Sequence, residues 1–128
     1  MGGGIGIENL QMQNVIIRNN IASQNIYSQM AADPSILSAL TVDHNLTDGD
    51  RDPEFELYGV DDLIDISPLF ANPLEANFHL GAASPAIDSG NPLDAPTMDF
   101  NGDSRPQDGD GDGTSQYDIG AYELTAYK

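Results

Sequence analysis

Two short apolar runs dominate the first third of the chain, Val15-Ile16-Ile17-Arg18-Asn19-Asn20-Ile21 and Thr41-Val42-Asp43-His44-Asn45-Leu46. A shift of 25 residues places Ile17 on Val42, Asn20 on Asn45 and Ile21 on Leu46. Offsets of roughly 20–45 residues belong to folds built by stacking one supersecondary unit on the next. The spacing predicts an all-β solenoid in which each short strand pairs in parallel with its equivalent one coil away. An Asn at each corner would adopt the left-handed turn conformation, bond the neighbouring backbone, and lie above its counterpart as a ladder.

The rest of the chain supports short elements. Gly2, Gly3, Gly4 and Gly6 break the start, and the Val and Ile that follow disfavour helix. From residue 67 on, Pro68, Pro73, Pro85, Pro92, Pro96 and Pro106 exclude long helices and central strands, leaving short strands and extended loops. After Asp33-Pro34, Ser35 to Leu40 predicts one short helix. A length of 128 residues suits one domain with a buried core, divided here into coils over 1–66 and a Pro/Gly/Asp-rich capping region over 67–128. The opening Met1-Gly2-Gly3-Gly4 has neither a basic region nor an apolar stretch and reads as the cut start of a longer protein.

Charge narrows the partners. With 4 basic and 21 acidic residues the formal net charge is −17. That excludes a general nucleic-acid binder, because phosphate binding needs Lys and Arg to release counterions. It also disfavours anionic membranes, and no apolar run reaches the ~20 residues needed to span a bilayer. Multivalent cations are the natural partner. The absence of cysteine excludes disulfides, thiol catalysis and Cys-ligated metal sites.

A family likeness is carried by Ser67-Pro68-Leu69-Phe70-Ala71-Asn72-Pro73, Asn77-Phe78-His79-Leu80 and Ser84-Pro85-Ala86-Ile87-Asp88-Ser89-Gly90. It continues through Asp99-Phe100-Asn101-Gly102-Asp103-Ser104-Arg105-Pro106 and Asp118-Ile119-Gly120-Ala121-Tyr122-Glu123. This succession resembles the C-terminal region of right-handed parallel β-helix proteins of the pectate-lyase-like superfamily, in particular bacterial surface proteins of the choice-of-anchor type. Arg18-Asn19-Asn20-Ile21 and His44-Asn45-Leu46 fit the coil corners of that family. The resemblance implies a secreted or cell-surface bacterial protein with further coils upstream and a polysaccharide as partner. It implies no single reaction, since the fold hosts lyases, hydrolases and adhesins alike.

The strongest chemical motif is Asp108-Gly109-Asp110-Gly111-Asp112-Gly113-Thr114-Ser115-Gln116-Tyr117-Asp118. Three carboxylates alternating with glycine repel one another on an extended chain, but glycine lets the loop curl so that they converge on a hard cation. Calcium takes 6–8 oxygens, and the spacing matches the start of an EF-hand loop. Asp108, Asp110 and Asp112 fill positions one, three and five, and Gly113 is the sixth-position glycine. Thr114 would offer its carbonyl, and Gln116 would act directly or through water. Position twelve is Ile119 instead of Glu, and Asp118 comes one residue early, so the closing ligand needs another geometry. The expected calcium ligands are Asp108, Asp110, Asp112, Thr114, Gln116 and Asp118; the competing reading is a flexible acidic loop. Two weaker echoes are Asp99/Asn101/Asp103, read as a turn that lets Arg105 meet a carboxylate, and Asp48/Asp50/Asp52, read as a solvated loop.

Catalytic groups are scarce. Lyases of the family it resembles use Arg or Lys as base, and only Arg18, Arg51, Arg105 and Lys128 are available, with Arg51 alone in an acidic loop. His44 and His79 read as hydrogen-bonded structural residues, and Phe70, Phe78 and Tyr122 as core. The expected function is that of a noncatalytic, calcium-stabilised C-terminal β-helix module. The alternative is the tail of a polysaccharide lyase or glycoside hydrolase whose active site lies on upstream coils.

Overall fold

The computed structural model describes residues 5–7, 13–25, 30–49 and 57–126. The chain divides into two compact units, Met1–Ile66 and Ser67–Lys128. It is all-β: among the described residues the regular structure is strand, with two short 3₁₀ turns and no α-helix.

The first unit contains β1 (Ile5–Ile7), β2 (Val15–Arg18), β3 (Ile21–Ser23), β4 (Met30–Ala32), β5 (Leu40–Asp43), β6 (Leu46–Asp48) and β7 (Leu63–Ile64). β1 pairs with β4, β2 with β5 and β3 with β6, all in parallel. The registers Ile5↔Met30, Val15↔Leu40 and Ile21↔Leu46 share one offset of 25 residues. Ile17 therefore faces Val42. A third row then follows at shorter spacing. β7 pairs with β6 through Leu46↔Leu63, and Val60 bridges Asp43. Gly59 lies against this row because a β-carbon there would fall 1.8 Å from the Val42 carbonyl oxygen.

Alternation along β2 turns Ile17 inward and leaves Ile16 52 % exposed. Ile17, Ala22, Met30, Ala32, Ile36 and Leu57 form the core, with Val15, Leu40 and Val42 packed against it. Each fully buried Ile, Leu or Met contributes about 1.5–3 kcal/mol. The helix expected near Ser35–Leu40 is a 3₁₀ turn over Pro34–Ala39. Pro34 presets its first φ, the Asp33 carboxylate accepts from the Ser35 N–H, and the Leu40 N–H closes it on the Leu37 carbonyl.

The corners correct one expectation. The left-handed residues are Asn19 (φ 57°), His44 (φ 52°) and Asp61 (φ 57°), each one position before Asn20, Asn45 and Asp62. The turn is made by one residue and the ladder by the next.

The second unit starts with an antiparallel hairpin of β8 (Phe70–Asn72) and β9 (Asn77–Leu80), joined through a 3₁₀ turn at Pro73–Glu75 and a left-handed Ala76. Beyond Leu80 the described chain has only the isolated bridges Met98↔Ser104 and Gln107↔Gln116. Leu80, Ala86 and Ile119 are buried, and the Ile119 N–H donates to the Ala86 carbonyl. Phe78 is not core: it is 49 % exposed and meets Phe70 edge-on at 5.4 Å, because a two-stranded ribbon covers too little of its own face. Tyr122 is half-buried, stacked on His79 at 4.0 Å.

Candidate metal centre

The site is built outward from Asp118, a fully buried carboxylate. One of its oxygens accepts from the Asp88 N–H at 2.8 Å and the other from the Leu124 N–H at 2.6 Å. Burial pushes this carboxyl up to about 6, against the pull of those two N–H groups. Asp118 thus fixes the backbone at Asp88, itself left-handed at φ 52°. The Asp88 side chain turns to the glycine-rich loop, accepting from the Asp110 N–H at 3.0 Å and the Gly109 N–H at 3.4 Å.

The loop is held by its own carboxylates. Asp108 accepts from the Gly111 N–H at 2.7 Å and the Gly113 N–H at 3.1 Å. Asp110 accepts from the Asp112 N–H, and Asp112 from the Thr114 N–H. Gly111 and Gly113 have positive φ, the curl that alternating glycine allows. The Gln116 N–H donates to the Gln107 carbonyl and the Ala126 N–H to the Asp108 carbonyl, closing the base.

The outcome is a triad. Asp88, Asp108 and Asp110 each offer a carboxylate oxygen, and the three atoms lie within 4.8 Å of one another. Three anions this close repel, and all-oxygen donors suit a hard divalent cation such as calcium or magnesium. Of the expected ligands, Asp108 and Asp110 are brought together. Asp112, Thr114 and Gln116 are exposed on the loop outside the triad, and Asp118 lies buried behind it as a backbone clamp. Asp88 was missed, because nothing local in Ala86-Ile87-Asp88-Ser89-Gly90 links it to a loop about twenty residues later.

A second charged centre lies in the same unit. Arg105 Nε donates to Glu123 Oε2 at 2.6 Å with both side chains almost wholly buried. Arg105 also donates to the carbonyls of Asp118 at 2.6 Å and Gly120 at 3.3 Å, and its guanidinium sits 5.4 Å from the Tyr117 ring centre. Glu123 accepts in return from the N–H groups of Gln107 and Asp118. Burial raises the Glu123 carboxyl even though Arg105 opposes the shift. Arg105 therefore does meet a carboxylate, that of Glu123, whose own N–H donates to Asp99.

The Asp99 turn forms by itself. Its carboxylate accepts from the N–H groups of Asn101, Asp103 and Glu123. Burial pushes the Asp99 carboxyl up, but these donors outweigh it and hold it below the usual value. Asp48 ends β6 and accepts from the Ser23 hydroxyl, while Asp50, Arg51 and Asp52 lie outside the described residues, as does Lys128. Arg18 grips the carboxylate of Asp43, its register partner, through Nε at 2.6 Å and Nη2 at 2.7 Å. His44 meets Asp43 at 3.1 Å, and His79 lies between Asn77 and Asn101. Both described arginines are thus engaged with carboxylates.

No family model matches the chain, and neither curated proteins nor solved structures give a match.

Proposed function

We propose that this chain is the noncatalytic, calcium-stabilised C-terminal module of a secreted or cell-surface bacterial protein associated with polysaccharide. In this reading residues 1–66 are terminal coils of a right-handed parallel β-helix, and residues 67–128 are capping loops. The common 25-residue register of three parallel ladders supports the coils. The observation that carries the reading is the Asp88, Asp108 and Asp110 triad, which ties a glycine-rich loop to a distant turn through groups that repel unless a cation joins them. Engagement of Arg18 and Arg105 with carboxylates supports a noncatalytic role. Weak sites of ~10⁻⁴–10⁻³ M suit extracellular calcium.

Melting the protein in EDTA and again in calcium tests this. A hundredfold excess over Kd stabilises the fold by about 2.7 kcal/mol, so the midpoint should rise by several degrees. Asp88→Asn and Asp110→Ala should abolish the rise, and Asp112→Ala should keep it. An unchanged midpoint in calcium overturns the calcium reading. Turnover of uronic-acid or neutral polysaccharides by this chain overturns the noncatalytic one.

A further inference from the structure

Phe100 is 77 % exposed, yet it is firmly held. Its N–H donates to the Ala121 carbonyl at 2.8 Å, and the Glu123 N–H donates to the neighbouring Asp99 carboxylate at 3.1 Å. The backbone on either side of Tyr122 therefore anchors the chain on which Phe100 sits. The Tyr122 ring stands edge-on to Phe100, with ring centres 5.7 Å apart and planes at 80°. Tyr122 is in turn stacked on His79 at 4.0 Å. Both His79 nitrogens are engaged: Nδ1 donates to Asn77 Oδ1 at 2.7 Å, and Nε2 accepts from Asn101 Nδ2 at 2.9 Å. β9, the Asp99 turn and residues 121–123 thus hold three rings in one fixed step, all within the second unit.

A single exposed ring means little by itself; its setting is what selects a ligand. The residues that follow and precede Phe100 are Asp99, Asn101, Gly102 and Asp103, so apolar area is interrupted on both sides of the ring. A protein partner needs ~800 Å² of complementary surface on each side. A sugar needs one ring: the axial C–H groups of a pyranose face meet the negative face of an aromatic system. A β-carbon at Gly102 would meet nothing within 4 Å, so the space next to the ring along the chain is open. Among the described residues, Asn101 Oδ1 and the Tyr122 hydroxyl have no hydrogen-bond partner, and each can bond a sugar hydroxyl. Charge decides the kind of sugar. Arg105, the one described Arg or Lys of this unit, is committed to Glu123, so nothing here attracts a uronic acid or a sulfated chain. The Asp99 carboxylate, which could draw a cationic sugar, is filled by the N–H groups of Asn101, Asp103 and Glu123.

We propose that Phe100, braced by Tyr122, is the stacking platform of a binding site for a neutral polysaccharide, with Asn101 and the Tyr122 hydroxyl bonding the hydroxyls of the stacked residue. The proposal rests on the polysaccharide association put forward above and adds where the glycan sits and what charge it carries. The platform is preformed, since the rings are already fixed by Asn77, Asn101 and the backbone of residues 121–123, and binding need order little of the protein.

The sequence contains no Trp, so Phe100→Trp places a single reporter at the platform. Titrated with soluble xylan or a soluble β-glucan, its emission should move to the blue and saturate, and the parent should bind the same glycan in calorimetry. Phe100→Ala should lose about tenfold or more in affinity while melting as the parent does, because the ring is exposed. Phe100→Leu keeps apolar bulk without an aromatic face and should bind as weakly as Phe100→Ala, so a fold defect in one variant does not decide the result. Polygalacturonate in EDTA should not bind. Neutral-glycan binding that survives both substitutions overturns the platform but leaves polysaccharide association standing. Binding of polygalacturonate alone in calcium does the same, and so does tighter binding of chitosan than of either neutral glycan. A parent that binds neither neutral nor charged chains overturns both readings. Self-association in sedimentation that Phe100→Ala abolishes overturns the proposal in favour of a second copy.

Discussion

The two units solve the same problem, too little apolar surface for an acidic chain, by opposite means. In the first unit, three parallel ladders share one 25-residue offset, and the rows they join meet like with like or charge with charge: Ile17 against Val42, Arg18 against Asp43, Asn20 against Asn45. In the second unit almost nothing repeats. Its described loops are tied by carboxylates that accept from backbone N–H groups far along the chain, Asp118 for residues 88 and 124, Glu123 for 107 and 118, Asp99 for 123. Repetition spreads stability over many equivalent bonds, whereas a web of acids concentrates it in a few side chains.

That contrast is sharpest at Arg105. Arg105→Ala leaves Glu123 buried without its partner, at a cost of about 3–5 kcal/mol. Hydrogen exchange should show protection lost at the amides of Asp118 and Ile119 while the amide of Leu46 keeps its own. Equal loss in both units would break the comparison, because it would mean that they unfold together.

A smaller loss is expected in the first unit. Asn45→Ala removes a fully buried amide and orphans the Asn20 N–H, at about 1–3 kcal/mol. Urea unfolding should register it as a lower midpoint with little change in slope. A loss as large as that of Arg105→Ala would show that the ladder, too, hangs on one residue.

The most gradual effect is a pH slope. The Asp118 carboxyl titrates near 6 in the fold and near 3.8 when exposed. Between those values the folded state holds the extra proton, so this group's contribution weakens the fold as pH rises through the window and relaxes on acidification. Compared with Asp118→Asn in EDTA, the parent should gain stability from pH 7 to pH 4, by at most about 1.4 kcal/mol per pH unit. Parallel profiles for the two proteins would remove Asp118 as the source.

The same contrast explains what could be read from the residues alone. A repeat states itself twice, so the pairing of Ile17 with Val42, Asn20 with Asn45 and Ile21 with Leu46 is visible as a shift of the sequence on itself. The third rung is hidden in the sequence because Asp62 stands where the earlier rungs have Asn and the spacing falls to 17. Its only trace is the likeness of Asp61-Asp62-Leu63 to His44-Asn45-Leu46. In the acid web each partner is unique. Asp108 and Asp110 announce themselves by alternating with glycine, but Asp88 and Glu123 carry no local mark, and only the folded chain brings them to the loop and to Arg105.

Gly59 sets how such a molecule can vary. With the Val42 carbonyl where its β-carbon would be, no substituent is tolerated without separating the two rows. In a saturation library of this chain, position 59 should be a column of losses in which alanine fares little better than leucine.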